Sequence, residues 1–283
     1  MTLSPELQAW IGRSRVLEED VGLGMTRRIA AMLDLDPAGF RIGDELPAHW
    51  FAMYFTEAAP QSRLGPDGHP APGVFLPPIP LPRRMGAGRR VTLHGAMRVG
   101  EMLSKTVEVA AIEPKQARTG FITVLTMRHT IRRGDAVLAV DEFDAVYREA
   151  VKPGEKSTVN APVPAPADPA WSVTKHLPSS LLFRYSAVTW NAHRIHYDAD
   201  YTRGEEGYPD VVQNGGLTMQ LLLDAVVANT PGRLTGFSAR LTRPIHVNET
   251  ITLAGHAAID GVAQAWVANA KNALCGLVEA RFG

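Results

Sequence analysis

The sequence predicts an α+β fold built from two tandem units, each with a helix packed on a curved antiparallel sheet. Three observations lead to this prediction. The two halves of the 283-residue chain end in similar sets of β-rich segments, a Pro- and Ala-rich stretch separates them, and a strongly helical pattern precedes the second set. Two such units would share one extended sheet, whereas two unrelated α+β domains are the alternative that the pattern leaves open.

The clearest boundary in the chain is residues 151–169, VKPGEKSTVNAPVPAPADP. Repeated Pro and Ala without apolar periodicity are typical of an extended linker. The sequence therefore predicts an N-terminal unit over residues 1–150, a linker over 151–169 and a C-terminal unit over 170–283. Each unit has about the size of a small domain with a single core.

Three β-rich runs close each half of the chain. They cover residues 105–112, 120–131 and 136–147 in the first half, and 250–257, 262–270 and 273–282 in the second. Gly134-Asp135 and Lys271-Asn272 supply a turn before the third run of each set. Each half is therefore predicted to end in an antiparallel meander.

One long helix is predicted before the second meander. The stretch GGLTMQLLLDAVVANTPG begins at Gly215, places Leu217, Leu221 and Leu222 at helical spacing, and stops at Pro231-Gly232.

Composition limits the classes of partner. Lys+Arg and Asp+Glu both number 29, so there is no net basic charge to attract nucleic acid or an anionic membrane. The single cysteine, Cys275, cannot form an intramolecular disulfide, and no zinc-type Cys/His spacing occurs. The N-terminal residues lack the pattern of a signal peptide, and no apolar run approaches the ~20 residues of a membrane span. We expect a cytoplasmic protein without metal, nucleic acid or membrane partners.

Residues 185–201, YSAVTWNAHRIHYDADY, combine polar and aromatic groups between a strand-like run and a helix. His193 and His196 can share one face of a helical turn, and histidine exchanges protons near neutral pH. Asn191 can hold a water or a carbonyl, while Asp198 can orient an imidazole or cap a helix. The alternative is that these histidines are surface or packed core residues.

This segment resembles the hydratase motif of MaoC-like (R)-specific enoyl-CoA hydratases: small residue, Gly, Asp, any residue, Asn, Pro, aliphatic residue, His. Aligned without gaps on residues 189–196, the motif puts the family's catalytic His on His196 and its catalytic Asp on Asn191. An amide cannot act as a general base. The family's Asn falls on His193 and its Pro on Arg194, so the resemblance implies proton chemistry shared by a pair of histidines.

Other stretches extend the resemblance over nearly the whole chain. TWNAHRIHYD together with GHPAPGVFLPPIPLPRRM at residues 68–85, MRVGE at 97–101 and VVQNGGL at 211–217 resembles the hydroxyacyl-thioester dehydratase type 2 family, which includes bacterial hydratases of mesaconyl-CoA and itaconyl-CoA. The resemblance implies a double hot dog fold and a hydro-lyase acting on an acyl-CoA or acyl-carrier-protein thioester without a cofactor. Asn214 replaces a His common in relatives, so no role is assigned to it.

Hydration of an enoyl thioester needs a donor for the thioester oxygen, a base for the water and an acid for the α-carbon. The helix that begins at Gly215 and Gly216 can supply backbone N–H groups at its positive end, although plain capping or close packing is an equal alternative. We predict that Gly215 binds the thioester oxygen. His196 is predicted to be the acid/base group, with His193 sharing the proton or positioning the water and Asn191 holding that water.

The first half has no counterpart of NAHRIH, so it is predicted to complete the pocket without a catalytic site of its own. Arg83 and Arg84 follow a proline-rich turn and can bind the carboxylate of a dicarboxylic acyl group or the phosphates of CoA. Two solvated arginines are the alternative.

The favoured substrate is a short branched dicarboxylic acyl-CoA of the mesaconyl-CoA or itaconyl-CoA type. Dehydration of 3-hydroxyacyl carrier protein in fatty-acid metabolism, thioester hydrolysis, and an inactive acyl-thioester binding module are the alternatives. Because a double hot dog already pairs two units within one chain, a monomer or homodimer is expected.

Overall fold

A computed structural model describes residues 3–56, 58–71, 75–117, 120–151, 155–157, 159 and 161–283. Within these ranges ten strands form one antiparallel sheet. The strands are β1 (Ser14–Asp20), β2 (Arg83–Leu93), β3 (Met102–Ala117), β4 (Gly120–Arg133), β5 (Ala136–Arg148), β6 (Trp171–His176), β7 (Leu234–Leu241), β8 (Thr250–Gly255), β9 (Val262–Ala268) and β10 (Leu274–Phe282).

The described residues also form five α-helices. They are α1 (Pro5–Gln8), α2 (Leu23–Met32), α3 (Ser179–Val188), α4 (Ala199–Gly204) and α5 (Gly215–Asn229). Short 3₁₀ turns cover Pro37–Gly39, Ala48–Met53, Gln61–Arg63 and Arg194–His196. No helix in the described part of the chain is long and apolar enough to span a membrane.

The sheet consists of two halves with the same internal order. The first half runs β1-β3-β4-β5-β2 and the second, read inward from its outer edge, runs β6-β8-β9-β10-β7. The halves meet where β2 pairs with β7, from Gly88 opposite Arg240 to Thr92 opposite Gly236. This arrangement confirms the predicted α+β architecture of two similar units that share one sheet. Residues 152–154, 158 and 160 of the predicted linker lie outside the described ranges.

The six predicted strands all form, and β3 is longer than predicted. The apolar run ends near Glu113-Pro114, but β3 continues to Ala117 opposite β4. Its other neighbour, β1, pairs only as far as Glu108. The last residues of β3 therefore form a sheet edge, where Pro is tolerated because no second ladder needs its N–H.

Helix α5 is buried on several faces rather than along one stripe. It packs on β8, β9 and β10, and it also contacts the 3₁₀ turn Ala48–Met53 of the first half. Leu217, Leu222 and Val226 are almost completely buried. Because this helix is covered on more than one side, its apolar residues are not confined to one stripe, although Gln220 and Asp224 interrupt them.

The first half has a different structure at the corresponding place in the chain. Between β1 and β2 the longest described helix is α2, and Trp50 and Phe51 of the 3₁₀ turn pack in the shared core. The chain then forms a loop closed by a bridge between Leu64 and Pro70. We call residues 64–70 the first-half loop, because it reaches across to the second half.

Candidate active site

The histidine loop, residues 190–198, follows helix α3 directly. Trp190 has a positive φ of 51°, and the Asn191 N–H donates to the Ser186 carbonyl at 2.8 Å, which ends the helix. The Asn191 side-chain oxygen then accepts the His193 N–H at 3.0 Å. The predicted water-holding amide is therefore engaged in shaping the loop that leads into the 3₁₀ turn Arg194–His196.

His196 is buried and has a defined tautomer. Its Nδ1 lies 2.7 Å from the Val212 carbonyl oxygen. Because a carbonyl can only accept, Nδ1 carries the hydrogen and Nε2 presents a lone pair. Burial lowers the pKa of His196 to about 4, against a weaker opposing effect of that hydrogen bond. At neutral pH the ring is an uncharged, oriented base.

The first-half loop docks onto the histidine loop through backbone atoms. The Arg194 N–H donates to the Asp67 carbonyl at 2.8 Å, and its Nη1 donates to the Pro66 carbonyl at 3.2 Å. Gly68 has φ of 87° and lies so close to Ala192 that a Cβ would overlap the Ala192 carbonyl oxygen. The two halves of the chain therefore build this site together.

Docking brings a second histidine to His193. The Asp67 carboxylate accepts the His69 backbone N–H at 3.0 Å and His69 Nδ1 at 2.9 Å. A carboxylate only accepts here, so His69 Nε2 presents a lone pair. The ring centres of His69 and His193 are 3.9 Å apart. Those of His193 and His196 are 5.4 Å apart.

The charges around these rings favour neutral imidazoles. Burial lowers the pKa of His193 far below its ordinary value, and the neighbouring His69, His196 and Arg84 lower it further. Burial also lowers the pKa of His69, although Asp67 opposes this effect. Burial alone would raise the pKa of Asp67, but His69 and Arg84 together bring it below its ordinary value. The site thus holds an ionised carboxylate beside uncharged rings.

The two predicted arginines have different surroundings. Arg83 is buried and donates to Glu206 at 2.6 Å and to the Ser157 hydroxyl at 2.9 Å. Arg84 makes no ion pair with any residue in the described ranges, and its charge acts on Asp67, His69 and His193. Of the pair, Arg83 forms an internal ion pair, whereas the charge of Arg84 reaches the histidines.

The start of α5 is tightly packed. The Asn214 side chain accepts the Gly216 N–H at 2.9 Å, whereas the Gly215 N–H has no hydrogen bond to another described residue. A Cβ at Gly215 would overlap the Leu241 side chain, and one at Gly216 would overlap the Tyr185 hydroxyl. The glycines are thus required for packing. The Gly215 N–H, unbonded within the described ranges, lies three residues after the Val212 carbonyl that orients His196.

Asp67 and His69 were absent from the candidates predicted from the sequence. Both stand in the first-half loop, far from NAHRIH in the chain, although an Asp-Gly-His run at the edge of the GHPAPG stretch was a usable signal. Asp198, which had two possible roles, caps α4 through the Tyr201 N–H at 3.0 Å and pairs with Arg194 at 2.7 Å.

The same loop contact creates a group of possible metal ligands. Asp67, His69 and His193 each offer one donor atom, and these atoms all lie within 4.8 Å of one another. Carboxylate and imidazole are suitable ligands for zinc, and three protein ligands are typical of catalytic zinc sites.

Comparison with known proteins identifies a family for this chain. The family model for hydroxyacyl-thioester dehydratase type 2 matches residues 48–247, a range that includes both loops and α5. A mesaconyl-C(4)-CoA hydratase of Chloroflexus aurantiacus is 39% identical over 246 residues, covering 86% of each chain.

Solved structures show the same fold at low sequence identity. A MaoC-like dehydratase from Phytophthora capsici superposes with a TM-score of 0.71 over 98% of each chain at 13% identity. A Mycobacterium tuberculosis protein described as having a double hot dog fold gives 0.60 over 98% of each chain at 16% identity. The double hot dog prediction is confirmed. With the family match over most of its length, the chain belongs to the hydroxyacyl-thioester dehydratase type 2 family, whose members are hydratases and dehydratases of acyl thioesters.

Proposed function

We propose that the protein adds water to the double bond of an enoyl-CoA whose acyl group is short, branched and dicarboxylic, of the mesaconyl-CoA or itaconyl-CoA type. The observation that carries the proposal is the buried His196 ring, whose Nδ1 is fixed on the Val212 carbonyl so that Nε2 is a free base. The proposal places this reaction in the cytoplasm, with free acyl-CoA rather than acyl carrier protein as the substrate and a monomer or homodimer as the enzyme.

The proposed reaction begins at the β-carbon. His196 Nε2 takes a proton from a water while the water oxygen bonds to the β-carbon and the double-bond electrons move toward the thioester oxygen. The Gly215 N–H at the positive end of α5 stabilises the negative charge that develops there. The imidazolium then returns its proton to the α-carbon, so that H and OH are added across the double bond.

The dicarboxylic acyl group is supported by Arg84. A guanidinium without an ion-pair partner among the described residues, next to the histidines, is suited to bind a substrate carboxylate. The curated relative at 39% identity acts on mesaconyl-C(4)-CoA, which agrees in chemical type. Arg83 takes no part in the proposal because Glu206 already pairs with it.

One assay separates hydration from the alternatives. Crotonyl-CoA and mesaconyl-CoA are incubated with the protein while the absorbance of the conjugated enoyl thioester and the release of free thiol are both followed. We expect loss of conjugation without thiol, faster with mesaconyl-CoA. Thiol release would indicate thioester hydrolysis. Binding without either change would indicate an inactive module.

A further inference from the structure

The histidine loop lacks the carboxylate that its motif has in related hydratases. Asn191 stands at that position, and its side-chain oxygen is already engaged with the His193 N–H. The nearest acidic residue along the loop, Asp198, pairs with Arg194 and caps α4. The described histidine loop therefore has no carboxylate outside an ion pair to activate a water.

We infer that Asp67 and His69 of the first half supply this function: His69 Nε2 accepts one hydrogen of the attacking water, and Asp67 positions His69. This inference rests on the proposed function. The first half then contributes a catalytic residue in addition to completing the pocket.

The geometry of the first-half loop supports a chemical role for its side chains. Docking onto the histidine loop uses the backbone oxygens of Pro66 and Asp67. The side chains of Asp67 and His69 take no part in those contacts, and the His69 ring instead lies against His193 at 3.9 Å between centres.

Asp67 fixes the tautomer that the reaction requires. With Nδ1–H held by the carboxylate at 2.9 Å, Nε2 is the nitrogen without a hydrogen, as in His196. Both rings lie against His193. In the inferred arrangement, the two nitrogens accept the two hydrogens of a single water and direct its oxygen lone pair at the β-carbon. His196 then takes one proton and later returns it to the α-carbon, while the other hydrogen stays on the product hydroxyl, held by His69.

Loss of either side chain should have a distinct signature. His69→Ala should lower kcat on the order of 10²-fold, within the usual range for removing a group that acts on a transferred proton. Asp67→Asn should lower kcat about tenfold or more with little change in KM, because the ring can then adopt the tautomer with a hydrogen on Nε2.

The two substitutions should not be additive. Because Asp67 acts through His69, Asp67→Asn should have almost no further effect in a His69→Ala background. The loss in Asp67→Asn should appear in kcat while KM stays nearly unchanged, a split that a purely structural role would not produce.

The experiment measures hydration of mesaconyl-CoA and crotonyl-CoA by the unmodified protein, by both single variants and by the double variant. Asp36→Asn is the matched control, because Asp36 forms the same kind of turn, accepting the Ala38 N–H at 2.9 Å on an exposed part of the chain. His69→Gln is a second variant that keeps an acceptor oxygen and should retain part of the rate. Near-ultraviolet circular dichroism identifies any variant that fails to fold.

Each outcome bears on a different statement. We call Asp67 and His69 the dyad. It is supported if the unmodified protein hydrates the thioesters, the Asp67 and His69 variants lose rate, and the two losses are not additive. Full rates in folded variants, or additive losses, overturn it while leaving the proposed function intact. Inactivation by a chelator with recovery on adding Zn²⁺, combined with loss of bound zinc in folded His69→Ala, would show that this group binds a metal, which also overturns it. A protein that hydrates neither thioester contradicts the proposed function, and the dyad has no role.

Discussion

At the scale of single residues, the orientation of His196 depends on one hydrogen bond to a backbone carbonyl. Because that acceptor is backbone, no side-chain substitution elsewhere removes it directly. His196→Ala should lower kcat by about 10²- to 10⁴-fold, as expected for loss of a general acid/base. The hydration assay measures this, with His94→Ala, an exposed histidine, as the control. Unchanged turnover in the folded His196 variant would contradict the assignment.

The adjacent arginines should respond in opposite ways to the same substitution. Arg83→Ala leaves Glu206 buried without its partner, so the free energy of unfolding should fall by about 3–5 kcal/mol. Arg84→Ala should change stability little and raise the KM for mesaconyl-CoA but not for crotonyl-CoA. Urea unfolding and steady-state kinetics on both variants test the pair. Equal KM changes for both thioesters would indicate that Arg84 binds the CoA portion.

The buried histidines should make the fold sensitive to acid. The folded pKa of His196 is about 4, below the ordinary value of 6.5, so between these values the unfolded chain binds more protons. The contribution of His196 to the free energy of unfolding should therefore be fully present above about pH 6.5. It should decline by about 3 kcal/mol as the pH falls toward 4. His69 and His193 act in the same direction.

Urea unfolding at several pH values between 4.5 and 7.5 measures the slope of the free energy of unfolding against pH. His196→Gln should flatten it, whereas His94→Gln should leave it unchanged. A slope that is identical in the His196 variant and the unmodified protein would show that other groups control acid stability.

At the scale of elements, the contact between the first-half loop and the histidine loop depends on Gly68. Ala at this position adds both a disfavoured positive φ and an overlap with the Ala192 carbonyl. Gly12 has a nearly equal φ of 84° but open space around its missing Cβ. Gly68→Ala should therefore lower activity much more than Gly12→Ala, although both carry the same backbone cost. Equal activity of the two variants would show that the site tolerates separation of the loops.

Features that depend on neighbouring residues could be predicted from the sequence, whereas contacts between residues far apart in the chain could not. Strands β3–β5 and β8–β10, and helix α5, carry local periodicity and turn residues, so their existence and approximate bounds were predicted. His193 and His196 lie three residues apart, and their proximity also follows from local geometry.

The remaining part of the site depends on contacts that no local pattern encodes. His69 meets His193 only because one loop of the first half docks on the other half through backbone atoms. Similarly, Arg83 and Arg84 are equivalent in sequence, and only the alternation of side chains on β2 and the position of Glu206 distinguish them.

At the scale of the whole molecule, the two halves are joined by more than the β2–β7 pairing. His49 and Trp50 of the first half and Gln220 of α5 all converge on one carboxylate oxygen of Asp224, at 2.6, 3.3 and 3.0 Å. The aromatic and aliphatic side chains around them belong to one core cluster that includes residues of both halves. We expect a single cooperative unfolding transition.

Removing Asp224 should weaken that connection. Asp224→Ala leaves three donors without their acceptor, so the free energy of unfolding should fall by about 1–3 kcal/mol. Tryptophan fluorescence and far-ultraviolet circular dichroism, followed through one urea titration, should shift together. Asp135→Ala, at an exposed hairpin turn, is the control. Separate transitions for the two probes would show that the halves unfold independently.

Among the described residues, the loop closed by the Leu64–Pro70 bridge belongs to the first half and docks on the second, a one-sided feature that the covalent union of the halves permits. In a pair of identical chains, any substitution appears twice, so a loop that improved one site would also alter its symmetry mate. Joining the units in one polypeptide removes that constraint. The first half can acquire an imidazole at position 69 that serves the second half, and no second copy of it arises elsewhere in the molecule. Each half can therefore evolve under a different selection pressure.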